Sequence, residues 1–377
     1  MQGEEFGMRN KSLVFASVFA LAALLLWTTG AAAQLTQNPG KGYNPPRTAD
    51  GHPDLDGTYD LATITQLIRP NGAKRALTDE EAAKMEAQMA KERQDGDAPL
   101  APDRAAPPKG NGDQDIPVRY RPATGGTGGY NTFWIDPGSK VTVVNGEKRS
   151  SIIVDPPDGK VPPMTEAGSH RGSALRYQPR SDARENSDPA LDRAPGAFDN
   201  PEIRPLSERC ILGFGSTSGP PMLPDYFYNN LHQIVQTPNS IMILSEMVHD
   251  ARIVRMNAQH LPKDIHLWMG DSVGHWEGDT LVVDTTNFND KTRFFGSSVD
   301  LHVVERFTRT GPKSLLYQFT VEDPTTWTKP WSGEYTWPVT DGHIYEYACH
   351  EGNYAMTDIL RGARQREKEE STAKTTN

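Results

Sequence analysis

The sequence predicts a mainly β fold, an antiparallel meander closing into a barrel or sandwich, with long Pro/Gly-rich wrapping loops and one short helix. Three observations carry this. From Leu231 onward the chain breaks into short β-rich runs separated by turn signals, with no helices between them. Before Leu231 it is dense in loop formers, and the whole chain of 377 residues holds 33 Gly and 30 Pro. Finally, a sheet of about ten or more strands hides its edges most economically by closing or by packing as two sheets.

The elements follow in chain order. Arg9 and Lys11 precede an apolar run from Leu13 to Trp27, and Ala31-Ala32-Ala33 supplies a small-residue cleavage site. That pattern describes a secretory signal over residues 1–33, shorter than the roughly 20 apolar residues of a membrane span. Residues 34–377 then form a single β-rich domain, exported to the periplasm or secreted, with no membrane span after cleavage. Thr78 with Glu81 makes a capping box for a helix whose apolar face is Ala82, Met85 and Met89 and which Gly96 ends. Strands are expected around Gly57–Ala62, Val141–Val144 and Ser151–Val154 within the loop-rich front, residues 34–225.

In the strand-dense part, residues 226–355, Leu231–Gln236 and Ile241–Val248 form a hairpin around Pro238-Asn239. Leu281–Thr286 follows the turn at Gly278, and Val303–Arg309 pairs with Leu315–Val321. Gly333–Trp337 and Ile344–Cys349 flank a turn at Asp341-Gly342, before a polar tail at 365–377. Export would place Cys210 and Cys349 where a disulfide can form, and two free thiols are the alternative.

Composition narrows the function. With 39 Lys+Arg against 49 Asp+Glu the net charge is -10, and no basic cluster offers a nucleic-acid surface. A mean hydropathy of -0.63 argues against a multi-span membrane protein. Gly125-Gly126-Thr127-Gly128-Gly129 lacks the Gly-Lys-Ser/Thr of a phosphate loop, and Gly213-Phe214-Gly215-Ser216 only approaches a nucleophile elbow. His350-Glu351-Gly352-Asn353-Tyr354 is not His-Glu-x-x-His. No metal ligand set is assigned, and neither a cofactor nor an oligomeric state is indicated.

Strand alternation locates the candidate chemistry. Glu305 shares a face with Val303, Phe307, Leu315, Tyr317, Phe319 and Val321. A carboxylate among aromatic side chains must be paired or protonated, so Glu305 is either a general acid–base group or half of a structural pair with an arginine. Pro238-Asn239 in the turn pairs His232 with Ser245 and puts His232 and His249 on one face. Histidines lining a cavity can serve as acid and base, while a hydrogen-bonded pair at a sheet end is the plainer use. His350, Glu351 and Asn353 cluster where the last strand is expected to end. Five tryptophans in this part would suit an apolar or aromatic ligand, or simply a core.

Several segments resemble a large family of exported bacterial β-rich proteins. They are Tyr130-Asn131 with Trp134-Ile135-Asp136, Ile153-Val154-Asp155-Pro156, Met247 to Ile253, Trp276 to Asp284, Val321-Glu322-Asp323-Pro324, and Tyr345 to Tyr354. The resemblance spans about Gly51 to Arg364, implies export and a β-rich fold, and carries no activity.

The functional expectation is therefore an exported small-molecule enzyme using acid–base chemistry in a barrel pocket, a lyase, isomerase or hydrolase. His232, His249, Glu305 and His350 would be catalytic, with Arg252, Glu351, Asn353 and Tyr317 contacting a small-molecule ligand. The alternative is a non-catalytic envelope protein binding apolar ligands or glycans. The enzyme requires Glu305, His249 and His350 to converge in one concave pocket.

Overall fold

The computed structural model describes residues 43–97, 136–175, 198–204, 206–213, 219–224, 229–292 and 294–375. The signal segment, the Gly125–Gly129 run and Phe214–Ser216 lie outside these. Elements run in the order β1 (Gly57–Asp60), β2 (Ala76–Leu77), α1 (Asp79–Asp97), β3 (Val143–Val144), β4 (Glu147–Arg149), β5 (Ile153–Asp155) and α2 (Glu166–Leu175). The strand-dense part follows: β6 (Leu231–Gln236), β7 (Ser240–Ser245), β8 (Ala251–Met256), β9 (Asp271–Glu277), β10 (Thr280–Thr286), β11 (His302–Gly311), β12 (Ser314–Glu322) and β13 (Trp331–Thr340). Helix α3 (Ala355–Thr375) comes last.

Nine strands close on themselves in the order β1-β6-β7-β8-β9-β10-β11-β12-β13, with β13 returning to β1 through Thr58↔Thr340 and Tyr59↔Val339. Closure leaves none of these nine strands on an open edge, and β5 adds to the far end of β13. Of the barrel and the sandwich that the turn pattern allowed, the barrel is the observed one. The β6–β7 register is also as read, with His232 opposite Ser245 and Gln236 opposite Ile241. Gly278, at φ +60°, makes the tight turn between Glu277 and Thr280. Gly333 has a packing role instead, because a Cβ there would sit 2.4 Å from the Phe319 ring.

Inward-pointing residues form the core. Tyr59, Phe307, Tyr317, Phe319, Trp331, Tyr335 and Trp337 are all fully buried, and Tyr317 stacks on Trp337 at 4.5 Å. Met222 is buried with them: its N–H donates to the Tyr317 hydroxyl at 2.8 Å while its carbonyl accepts from Tyr335 at 3.0 Å. Outside the barrel, the small sheet β2-β4-β3 covers β13. There Arg149 pairs with Glu334 at 2.6 Å, both nearly inaccessible. Helix α1 begins with the reciprocal Thr78/Glu81 cap and buries Ala82 and Met89 against Ile64 and Val141.

Three details differ from the sequence reading. One pairing, β8 with β9, is parallel, so the barrel is mixed. A parallel neighbour needs a long connection to bring the chain back to the same end, and residues 257–270 supply it. Second, Ile344–Cys349 forms no strand, because β12 and β1 already occupy both sides of β13 at that end. The segment is instead tied down by Tyr345 N–H on Glu246, at 3.0 Å, and by a disulfide from Cys349 to Cys210. Third, residues 355–375 are helical, and α2 adds a further helix. The 21 residues of α3 carry pairs such as Gln365 with Glu369 at i,i+4 spacing.

Among the described residues no helix is long and apolar enough to cross a membrane.

Candidate functional site

The candidate site is a polar girdle inside the barrel. Inward positions on successive strands bring His232 and Ser245 (β6, β7), Arg252 (β8), Ser272 and Thr285 (β9, β10), Glu305 (β11) and Tyr317 (β12) into the interior. Strand alternation puts them there, since each lies in register with apolar inward neighbours. Arg252 and Glu305 meet as a fork, with Nη1 to Oε2 at 2.5 Å and Nη2 to Oε1 at 2.9 Å. Tyr317 donates to the same Oε1 at 2.8 Å, and Ser272 hydrogen-bonds Thr285 at 2.9 Å. Glu305 is 0% exposed and Arg252 4%, so each ion stands in for the other's water. Of the two uses the sequence allowed for Glu305, the geometry gives the pair with an arginine.

Burial dominates the titration here. Loss of water pushes the His232 imidazole down to about 4, and the neighbouring Arg252 charge acts in the same direction, against the Asn230 carbonyl. Burial also lifts the Tyr317 phenol well above its ordinary 10, reinforced by the Glu305 carboxylate. His232 is therefore neutral at neutral pH. Its Nδ1 faces the Asn230 carbonyl at 3.3 Å and carries the proton, which leaves Nε2 as a buried acceptor with no partner among the described residues. Among the described residues Arg252 Nε and Trp337 Nε1 are buried donors without a partner. Other buried donors there, such as Arg309 Nε and Trp331 Nε1, also lack a partner, but these three adjoin one another. The His232 ring lies 6.1 Å from Trp337 and feels the Arg252 charge, so they form one place that can hold a polar group.

The remaining predicted residues do not join them. Strand β7 stops at Ser245, and the chain turns through Val248 and His249, both at positive φ. That turn breaks the alternation that had put His249 beside His232. His249 is exposed, with Nδ1 3.3 Å from the Tyr347 carbonyl. His350, Glu351 and Asn353 are exposed on the loop before α3, where Asn353 Nδ2 reaches Cys210 Sγ at 3.5 Å. The expected convergence of Glu305, His249 and His350 is corrected accordingly, because Glu305 lies inside the wall and both histidines outside it. A surface groove of about 660 Å³ along α3, lined by Leu360, Arg361, Arg364 and Lys368, holds none of the candidate residues. Of the tryptophans, Trp327, Trp331 and Trp337 are core, and Trp276 stacks on His52 at 4.8 Å.

Sequence reasoning missed a second cluster, on the outer wall. His260 places Nδ1 3.0 Å from Asp271 Oδ2 and Nε2 3.1 Å from Asp284 Oδ1. His302 Nε2 approaches the same Asp284 oxygen at 3.1 Å, and its Nδ1 lies 3.6 Å from Glu322. Arg255 and the Leu261 N–H complete the Asp271 shell. The β11–β12 register sets His302 directly opposite Glu322, a pairing the hairpin turn already implied.

Compared with known proteins, the chain matches no family model, no curated protein and no solved structure.

Proposed function

We propose that this is an exported, non-catalytic barrel protein that binds a small molecule with an apolar aromatic body and a polar head. The head would sit between His232 and Arg252, and the body against Trp337 and Tyr317. The observation that carries this reading is the buried, unpartnered pair of His232 Nε2, an acceptor, and Arg252 Nε, a donor. Together they match a hydroxyl or a protonated carboxyl group, which both donates and accepts. Admission requires Met222 to give up its hydrogen bonds to Tyr317 and Tyr335. The surface positions of His249 and His350 favour binding over acid–base catalysis, since catalysis was to draw on them together with Glu305. The export signal read over residues 1–33 supports the location.

Tryptophan emission reports on the site, because Trp337 contacts both His232 and Tyr317. Titration with 2-naphthoate and 2-naphthol should quench it saturably. His232→Leu should weaken the tighter of the two by about tenfold, the worth of one hydrogen bond to a buried partner. No saturable quenching by either probe up to millimolar concentration would refute the proposal.

A further inference from the structure

The connection between β8 and β9, residues 257–270, lies against the outer wall rather than leaving it. Asn287 Nδ2 donates to the Leu261 and Pro262 carbonyls, at 3.1 and 3.2 Å, and Leu267 N–H donates to the Asn287 carbonyl at 3.0 Å. Thr292 Oγ1 donates to the Trp268 carbonyl at 2.6 Å. Those bonds do not titrate. Further attachments are the Leu261 N–H on Asp271 at 2.8 Å, the Asn289 N–H on the Leu267 carbonyl at 2.8 Å, His266 Nδ1 3.0 Å from the Phe288 carbonyl, and His260, the loop side chain that bridges two carboxylates. A neutral imidazole has one N–H, so it can satisfy only one of the two carboxylates that His260 touches and must turn a lone pair toward the other. An imidazolium donates to both.

His302 repeats the arrangement between Asp284 and Glu322. Among the described residues, the charged groups packed on the cluster are Arg255 from β8, Asp271 from β9, Asp284 from β10, His302 from β11 and Glu322 from β12, with His260 on the loop itself.

We propose that His260, Asp284 and His302 form a proton-operated clasp that fastens the 257–270 loop to the barrel when the imidazoles are charged and loosens it when they are not. The loop carries Ile265, Leu267 and Trp268, each roughly two-fifths exposed, so loosening changes how much apolar surface this wall presents. The Asp284 hydrogen bond raises His302 above its ordinary 6.5 against the pull of burial. Burial would raise Asp271 and Asp284, yet their hydrogen bonds and cationic neighbours hold both below 3.8. A raised histidine contributes stability below 6.5 that is lost as pH climbs through its folded value. The lowered aspartates contribute above 3.8 and fail only in stronger acid. The clasp is therefore closed in mild acid and opens on the alkaline side.

Amide hydrogen exchange on the intact protein, corrected for intrinsic chemistry, tests this between about pH 5.5 and about pH 8.5, which bracket an imidazole. Amides of 257–270 should lose about two- to fivefold protection over that range, the worth of a partly exposed ion pair, while the interior of β12 is unchanged. Asp284→Asn should show low, pH-independent protection of the loop. Should that variant not fold, the wild-type pH series decides by itself. A flat wild-type profile would overturn the clasp. So would an Asp284→Asn protein that keeps the wild-type pH dependence. Stoichiometric zinc uptake that abolishes imidazole titration would also overturn it, making the cluster a metal site.

Discussion

His232 and His302 stand on opposite faces of one barrel wall and are driven in opposite directions. His232 is sealed among aromatic rings beside a guanidinium, and its imidazole is pushed down to about 4. His302 is a third exposed and flanked by two carboxylates, and its imidazole is raised, with the Asp284 hydrogen bond as the main cause. The same contrast separates the carboxylates. Glu305 has one guanidinium and one phenol in the buried interior, whereas Asp284 has two imidazoles about a third exposed. A wall one strand thick thus carries two kinds of polar cluster. The inner one is fixed by lack of water, and the outer one stays adjustable because water reaches it.

The sharpest way to break this comparison is to remove one partner inside. Arg252→Met should destabilise the protein by about 3–5 kcal/mol by stranding Glu305 without water or counter-charge. The matching outer change, Arg255→Met at a 38%-exposed side chain, should cost about 1 kcal/mol or less. Urea unfolding of the two variants compares them directly, and equal losses would mean that the two clusters do not differ in kind. Restoring most of the stability with Arg252→Met/Glu305→Leu would show that the loss came from the orphaned charge.

Next in size is the acid limb of the stability curve. An imidazole pushed from 6.5 to about 4 leaves the unfolded chain binding more protons between those values. Stability should therefore fall as pH drops through that window, by about 3 kcal/mol in total. His232→Leu should flatten this limb, as seen in thermal or urea midpoints measured across the pH range. An unchanged limb in the variant would place the acid lability elsewhere. The smallest effect belongs to His302→Gln, about 0.2–1 kcal/mol at pH 6 given the exposure of its pairs. Its sign is the informative part. Removing His302 should reduce stability in mild acid and leave it unchanged at high pH, the reverse of removing His232.

The strands were legible because their information is local. Alternation in Val303–Arg309 and Leu315–Val321 placed Glu305 and Tyr317 on one face, and the Pro238-Asn239 turn set His232 opposite Ser245. The capping box at Thr78 and Glu81 announced α1 for the same reason. Reading His249 onto the inner face failed because alternation holds only while a strand lasts, and β7 ends at Ser245. The outer cluster was half visible: hairpin register pairs His302 with Glu322, while His260 comes from an irregular connection that no periodicity marks.

By itself, then, the sequence determined that the chain is β-rich with its strands closing into a barrel or packing as a sandwich, which residues of the regular strands share a face, and that a charged pair or a protonated acid had to sit among the aromatics. Those outcomes depend on a side-chain period of two and on turn chemistry, both written over a few adjacent residues. Only the tertiary structure decided that Arg252 is the partner of Glu305, that Cys210 joins Cys349 across 139 positions, and that β8 lies parallel to β9. It also decided that His260 closes on Asp284. Each of these joins residues through space after the barrel has closed, and closure is a property of nine strands together that no short stretch of the chain encodes.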